Sequence, residues 1–71
     1  MKVTVKAKDG AELLVLDRVD GQPAQLAEQA LDMWVAASRK KRRAGHRIEV
    51  TNGAELAVFE LRTKLVLEQL S

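Results

Sequence analysis

Five consecutive cations, Arg39-Lys40-Lys41-Arg42-Arg43, followed closely by His46 and Arg47, are the sharpest chemical feature of this sequence. Guanidinium and ammonium groups at that density bind anions, because hydrogen bonds assisted by charge are shorter and stronger than neutral ones. The chemistry on offer from Arg39, Lys40, Lys41, Arg42, Arg43 and Arg47 is contact with a phosphate backbone or an acidic protein surface. The plainer reading is a solvated run that complements a helix C-terminus, where the macrodipole favours cations. Catalysis has little to work with. His46 is the only histidine, Ser38 and Ser71 are the only serines, and cysteine is absent, so a nucleophile–base pair would require Ser38 against His46. His46 is read as structural or exposed. The acids are too scattered for a metal site, and the glycines stand singly, without phosphate-loop spacing. The expectation is a protein that is not an enzyme and carries no metal or cofactor.

The elements that must position these cations flank them. Lys8 to Leu16 reads K-D-G-A-E-L-L-V-L and Thr51 to Phe59 reads T-N-G-A-E-L-A-V-F, a near-repeat in which an Asx-Gly pair precedes Ala-Glu-Leu. Asp-Gly and Asn-Gly favour tight hairpin turns because both residues tolerate positive φ. Ahead of the first pair, Val3, Val5 and Ala7 alternate with Lys2, Thr4, Lys6 and Lys8; ahead of the second, Ile48 and Val50 alternate with Arg47 and Glu49. Both runs have the period of a strand with one apolar face. Turning at Asp9-Gly10 opposes Lys6 to Leu13, Val5 to Leu14, Thr4 to Val15 and Val3 to Leu16. Turning at Asn52-Gly53 opposes Ile48 to Ala57 and His46 to Phe59. Both registers leave Leu13, Val15, Leu56 and Val58 on the face away from the expected core. Such an apolar patch marks an interface between copies or with another protein unless the chain covers it. The C-terminal tail, with Leu65, Val66, Leu67 and Leu70, is long enough to fold back as a short helix, or it adds a fifth strand.

Between the hairpins, Ala24 to Ala44 contains neither glycine nor proline. Leu26, Ala27, Ala30, Leu31, Trp34, Val35 and Ala37 share one arc at helical spacing, opposite Gln25, Glu28, Gln29, Asp32 and Arg39. The spacing predicts one long amphipathic helix that begins near Pro23 and stops at Gly45, with the basic run as a cationic collar on its last turns. The second Asx-Gly admits another reading: Asn52 and Glu55 also fit a capping box, which would make residues 54 to 70 a helix. The fold expected is therefore α+β, an antiparallel sheet of two β-hairpins flanking one long helix (ββαββ) with a short C-terminal helix or strand; the alternative is ββαβα.

Composition sets the limits. Seventy-one residues, 46% hydrophobic and 31% charged, describe one ordinary soluble domain with a small core. No apolar run approaches the ~20 residues of a membrane span. The alternating N-terminus is unlike an export signal, and the lack of cysteine fits a reducing cytoplasm, so a cytoplasmic location without membrane contact is expected. Net charge is only +2, less than duplex-binding proteins usually carry, and the only aromatics, Trp34 and Phe59, fall at core positions. Base stacking of the kind that single-strand readers use is thus poorly supported.

Ala30 to Glu60 resembles small phage-encoded anti-CRISPR inhibitors of type I-F systems. The resemblance rests on a helix rich in Ala, Lys and Arg, then Arg47-Ile48-Glu49, Asn52-Gly53 and a strand with Leu56-Ala57. It covers less than half the chain. It implies a stoichiometric inhibitor that docks on a nucleic-acid-handling protein complex. Three functions follow as expectations: such an inhibitor or adaptor, direct electrostatic nucleic-acid binding through the basic run, or a homo-oligomeric structural module.

Overall fold

A computed structural model describes residues 1–64 and 66–71. Strands β1 (Lys2–Lys6) and β2 (Glu12–Leu16) precede helix α1 (Pro23–Ser38), and strands β3 (Arg47–Asn52), β4 (Glu55–Leu61) and β5 (Leu67–Gln69) follow it. The five strands form one antiparallel sheet in the order β2-β1-β3-β4-β5. The class is α+β, as expected, and the tail is the fifth strand rather than a helix. Leu65, grouped with the tail, lies outside the described residues.

Period-two alternation explains the core directly. Val3 and Val5 of β1, Ile48 and Val50 of β3, and Phe59 and Leu61 of β4 point to one side, where Leu26, Ala27, Ala30, Leu31 and Trp34 of α1 cover them. The helix packs chiefly on β1 and β3, the central pair that joins the two hairpins. Pro23 stands at its start, where a missing N–H costs nothing.

Both hairpin turns differ from the sequence expectation. In the first, the Gly10 N–H donates to the Ala7 carbonyl at 2.9 Å and the Ala7 N–H to the Ala11 carbonyl at 2.8 Å, so the loop holds Lys8, Asp9 and Gly10. Gly10 takes φ +94, which favours glycine, and the Asp9 carboxylate accepts from the Ala11 N–H at 3.0 Å. Lys6 then faces Glu12, not Leu13. A bulge restores the expected pairs Val5–Leu14, Thr4–Val15 and Val3–Leu16. Leu13 is the extra residue; it is half-buried and packs against the core, so its place on the outer face is corrected.

In the second hairpin, Asn52 pairs with Glu55 and the turn residues are Gly53 and Ala54. Gly53 has φ +61 and Ala54 no positive φ, the pattern of a type II′ turn with glycine first. Ile48 accordingly faces Phe59 instead of Ala57. The slip is two residues on one strand, so every side chain keeps its expected face. Residues 55–61 are strand, and the capping-box helix does not form.

The helix is shorter than its sequence spacing implies. It ends at Ser38, with Arg39 in the left-handed conformation (φ 57, ψ 24), and residues 40–43 run on without helical structure. The cationic collar on a helix end is therefore a cationic loop.

Candidate anion-binding site

Local chemistry stops α1 just before the basic run. The Ser38 hydroxyl donates to the Trp34 carbonyl at 2.7 Å and accepts from the Lys40 N–H at 3.3 Å, which diverts the backbone into a turn. Arg42 then reaches back to Glu28 of α1, with Nη2 at 2.6 Å from Oε2. A continuous helix would carry Arg42 about 21 Å along the axis from Glu28, given ~1.5 Å of rise per residue. The pair can form only because the chain has reversed.

The far end of the loop is fastened to the sheet. Gly45 N–H donates to the Leu61 carbonyl at 2.9 Å, and Leu61 N–H to the His46 carbonyl at 2.8 Å. His46 Nδ1 lies 2.8 Å from the Arg43 carbonyl. A carbonyl only accepts, so Nδ1 is the donor in this contact. Gly45, at φ +99, also lets the Lys8 stem lie across it: an added Cβ would meet Lys8 carbon at 3.1 Å.

These constraints build a basin of about 610 Å³ at the hairpin end of the helix. Ala7, Leu13, Trp34 and His46 form its floor, and Arg39, Lys40, Lys41 and Arg43 its rim. The Trp34 and His46 rings meet with centroids 4.9 Å apart at 55°, and Trp34 is buried. None of the four rim cations has a carboxylate partner among the described residues. Clustered like charges with no counter-charge leave a positive potential, which the low-dielectric floor focuses.

The six expected contact residues thus divide. Arg39, Lys40, Lys41 and Arg43 converge on the basin. Arg42 is half-buried against Glu28, and Arg47 is held by Glu60 at 3.2 Å on the other sheet face. These two have carboxylate partners within the chain and do not line the basin. The sequence reading missed the floor: Leu13 comes to it only through the bulge, and Ala7 and His46 only through the loop's return. Their one local cue is Trp34, four residues before Ser38.

The outer sheet face is organised differently. Lys6 pairs with Glu49 at 3.1 Å, Arg47 with Glu60 at 3.2 Å, and Arg62 with Glu60 at 3.2 Å and Glu68 at 2.8 Å. The Glu68 carboxylate, by hydrogen bond and charge, and then Glu60, raise the Arg62 pKa above its ordinary value. Val15, Leu56 and Leu70 are exposed and Val58 is half-buried. The tail pairs edge-on with β4, through Leu70 N–H to the Val58 carbonyl at 2.7 Å, and does not fold over Val15 and Leu56.

No helix among the described residues is long and apolar enough to cross a membrane. Comparison with protein-family models, curated proteins and solved structures finds no match for this chain.

Proposed function

We propose that this chain is a small non-enzymatic binding protein that acts by stoichiometric contact, with the basin as its contact surface and an anionic partner. The observation that carries the reading is the set of four cations, Arg39, Lys40, Lys41 and Arg43, that have no carboxylate partner among the described residues and ring a floor of Ala7, Leu13, Trp34 and His46. A solvated run would spread its charges; this one spends Arg42 on an internal ion pair that holds the loop, and leaves the others facing one concavity. The partner class that best suits it is a nucleic-acid-handling protein complex, with this chain as inhibitor or adaptor. The resemblance of Ala30 to Glu60 to small anti-CRISPR inhibitors supports that choice. Affinity capture from a bacterial lysate, with and without nuclease, tests it. The reading expects a defined complex that survives nuclease and is lost with Lys40→Glu/Lys41→Glu. Retention of nucleic acid alone, removed by nuclease, would transfer the function to direct nucleic-acid binding.

One observation favours a second reading, a homo-oligomeric module joined through the outer face. Val15 and Leu56 stay exposed because the tail lies beside β4 instead of over them. Sedimentation across a wide concentration range decides it: a dimer that Leu56→Lys splits would support self-association, and a monomer throughout would end it.

A further inference from the structure

The basin's chemistry is more specific than positive charge, and resting on the reading above, we infer that it takes a short acidic polypeptide segment carrying one apolar anchor residue. Three features point to a polypeptide. First, Ala7, Leu13 and Trp34 give the floor an apolar stretch beside the His46 ring, with cations only at the rim. Protein interfaces concentrate their affinity where an apolar anchor fills such a pocket inside a polar surround. At about 610 Å³ the basin lies within the ~300–1,000 Å³ of typical ligand pockets and has room for an aliphatic or aromatic side chain with its flanking backbone.

Second, four cations with no carboxylate partner among the described residues converge on this one concavity, whereas Lys2, Lys8, Arg18 and Lys64, which also lack one, lie outside its lining. Beyond the loop, Lys6, Arg47 and Arg62 on the sheet are each held by glutamates. A phosphate backbone gains affinity from many contacts along its length, whereas a few carboxylates beside an anchor need only the rim. Third, Trp34 is buried and tilted onto His46, so it offers no open ring face on which a base could stack. The carboxylates of the segment would accept hydrogen bonds from Arg39, Lys40, Lys41 and Arg43 while its apolar side chain sits over Leu13 and Trp34.

The test is a titration followed by Trp34 fluorescence and anisotropy, using a short peptide of alternating Asp and Glu around a central leucine. Controls are the same peptide with alanine at the centre and a single-stranded oligonucleotide of equal charge. The leucine peptide should bind about tenfold more tightly than the alanine peptide, the worth of one buried aliphatic side chain. It should also bind more tightly than the oligonucleotide. Ala7→Leu, which fills the floor and leaves the rim intact, should erase the difference between the peptides; circular dichroism checks that the variant is folded. Equal affinity for both peptides, or tighter binding of the oligonucleotide, would overturn the polypeptide inference while the basin remained an anion site. Affinities unchanged in Lys40→Glu/Lys41→Glu would remove the basin from binding altogether, and the proposed function with it.

Discussion

Two clusters of cations in this molecule are used in opposite ways. On the outer sheet face, Lys6, Arg47 and Arg62 lie within 3.2 Å of Glu49, Glu60 and Glu68, each neutralised by a cross-strand or nearby acid. At the end of α1, Arg39, Lys40, Lys41 and Arg43 surround a basin with no carboxylate to answer them among the described residues. The difference shows why net charge is a poor guide here. A total of +2 conceals three sheet cations paired with acids and a loop whose rim cations are not. Surface ion pairs of the first kind stabilise a fold by only ~0–1 kcal/mol each, but they remove charge from the field a partner would meet.

The largest break in this contrast comes from Trp34→Ala, which removes a buried core residue and the basin floor together. It should cost about 3–5 kcal/mol, enough to unfold most of a domain this small, and thermal melting followed by circular dichroism will register it. Next comes the separation of Arg42 from its neighbours. Arg42→Ala should lower stability by about 1 kcal/mol, a fall in Tm of ~4–8 °C, through loss of the Glu28 pair that holds the loop. Lys41→Ala should leave Tm within a degree or two while weakening binding of an acidic peptide several-fold. Equal effects of the two on Tm would show that Arg42 has no special structural place.

The sheet face can be converted toward the basin's condition. Glu49→Gln/Glu60→Gln removes the partners of Lys6 and Arg47, and the variant should elute from a polyanion column at distinctly higher salt than the parent. Smallest is Lys6→Ala, deletion of a half-buried surface pair that should change stability by no more than ~0.5 kcal/mol and leave acidic-peptide affinity alone. A loss of affinity there would place part of the anion site on the sheet.

Some of this was open to reading from residues alone. Alternation of Val3 and Val5, and of Ile48 and Val50, located the inner face of the sheet, and the arc of Leu26, Ala27, Ala30, Leu31 and Trp34 located the buried stripe of the helix. Faces survived errors of register because side chains alternate with period two: the β3–β4 slip was even, and the β1–β2 offset was cancelled by the bulge at Leu13. That bulge has no signature in E-L-L-V-L, and it moved Leu13 from the outer face to the basin. The end of the helix was illegible for a related reason. Nothing in the residue types of Ser38-Arg39-Lys40-Lys41 forbids helix; the stop is made by the Ser38 hydroxyl and the left-handed Arg39, and the reversed chain is held by a long-range pair, Arg42 to Glu28, fourteen positions apart. The loop's shape as a basin, and the pairing of Arg42 with Glu28 and of Arg47 with Glu60, depend on partners that no local pattern names.

The most direct test of the central claim is to titrate Trp34 fluorescence with polyglutamate at low salt, in the parent, in Lys40→Glu/Lys41→Glu and in Lys6→Ala. Trp34 is the only tryptophan and sits in the basin floor, so its emission reports occupancy of that site alone. The account predicts a saturable change in the parent that weakens as salt rises, the same curve in Lys6→Ala, and a flat response in the double variant. Parent-like binding by the double variant, or an equal loss in Lys6→Ala, would contradict it.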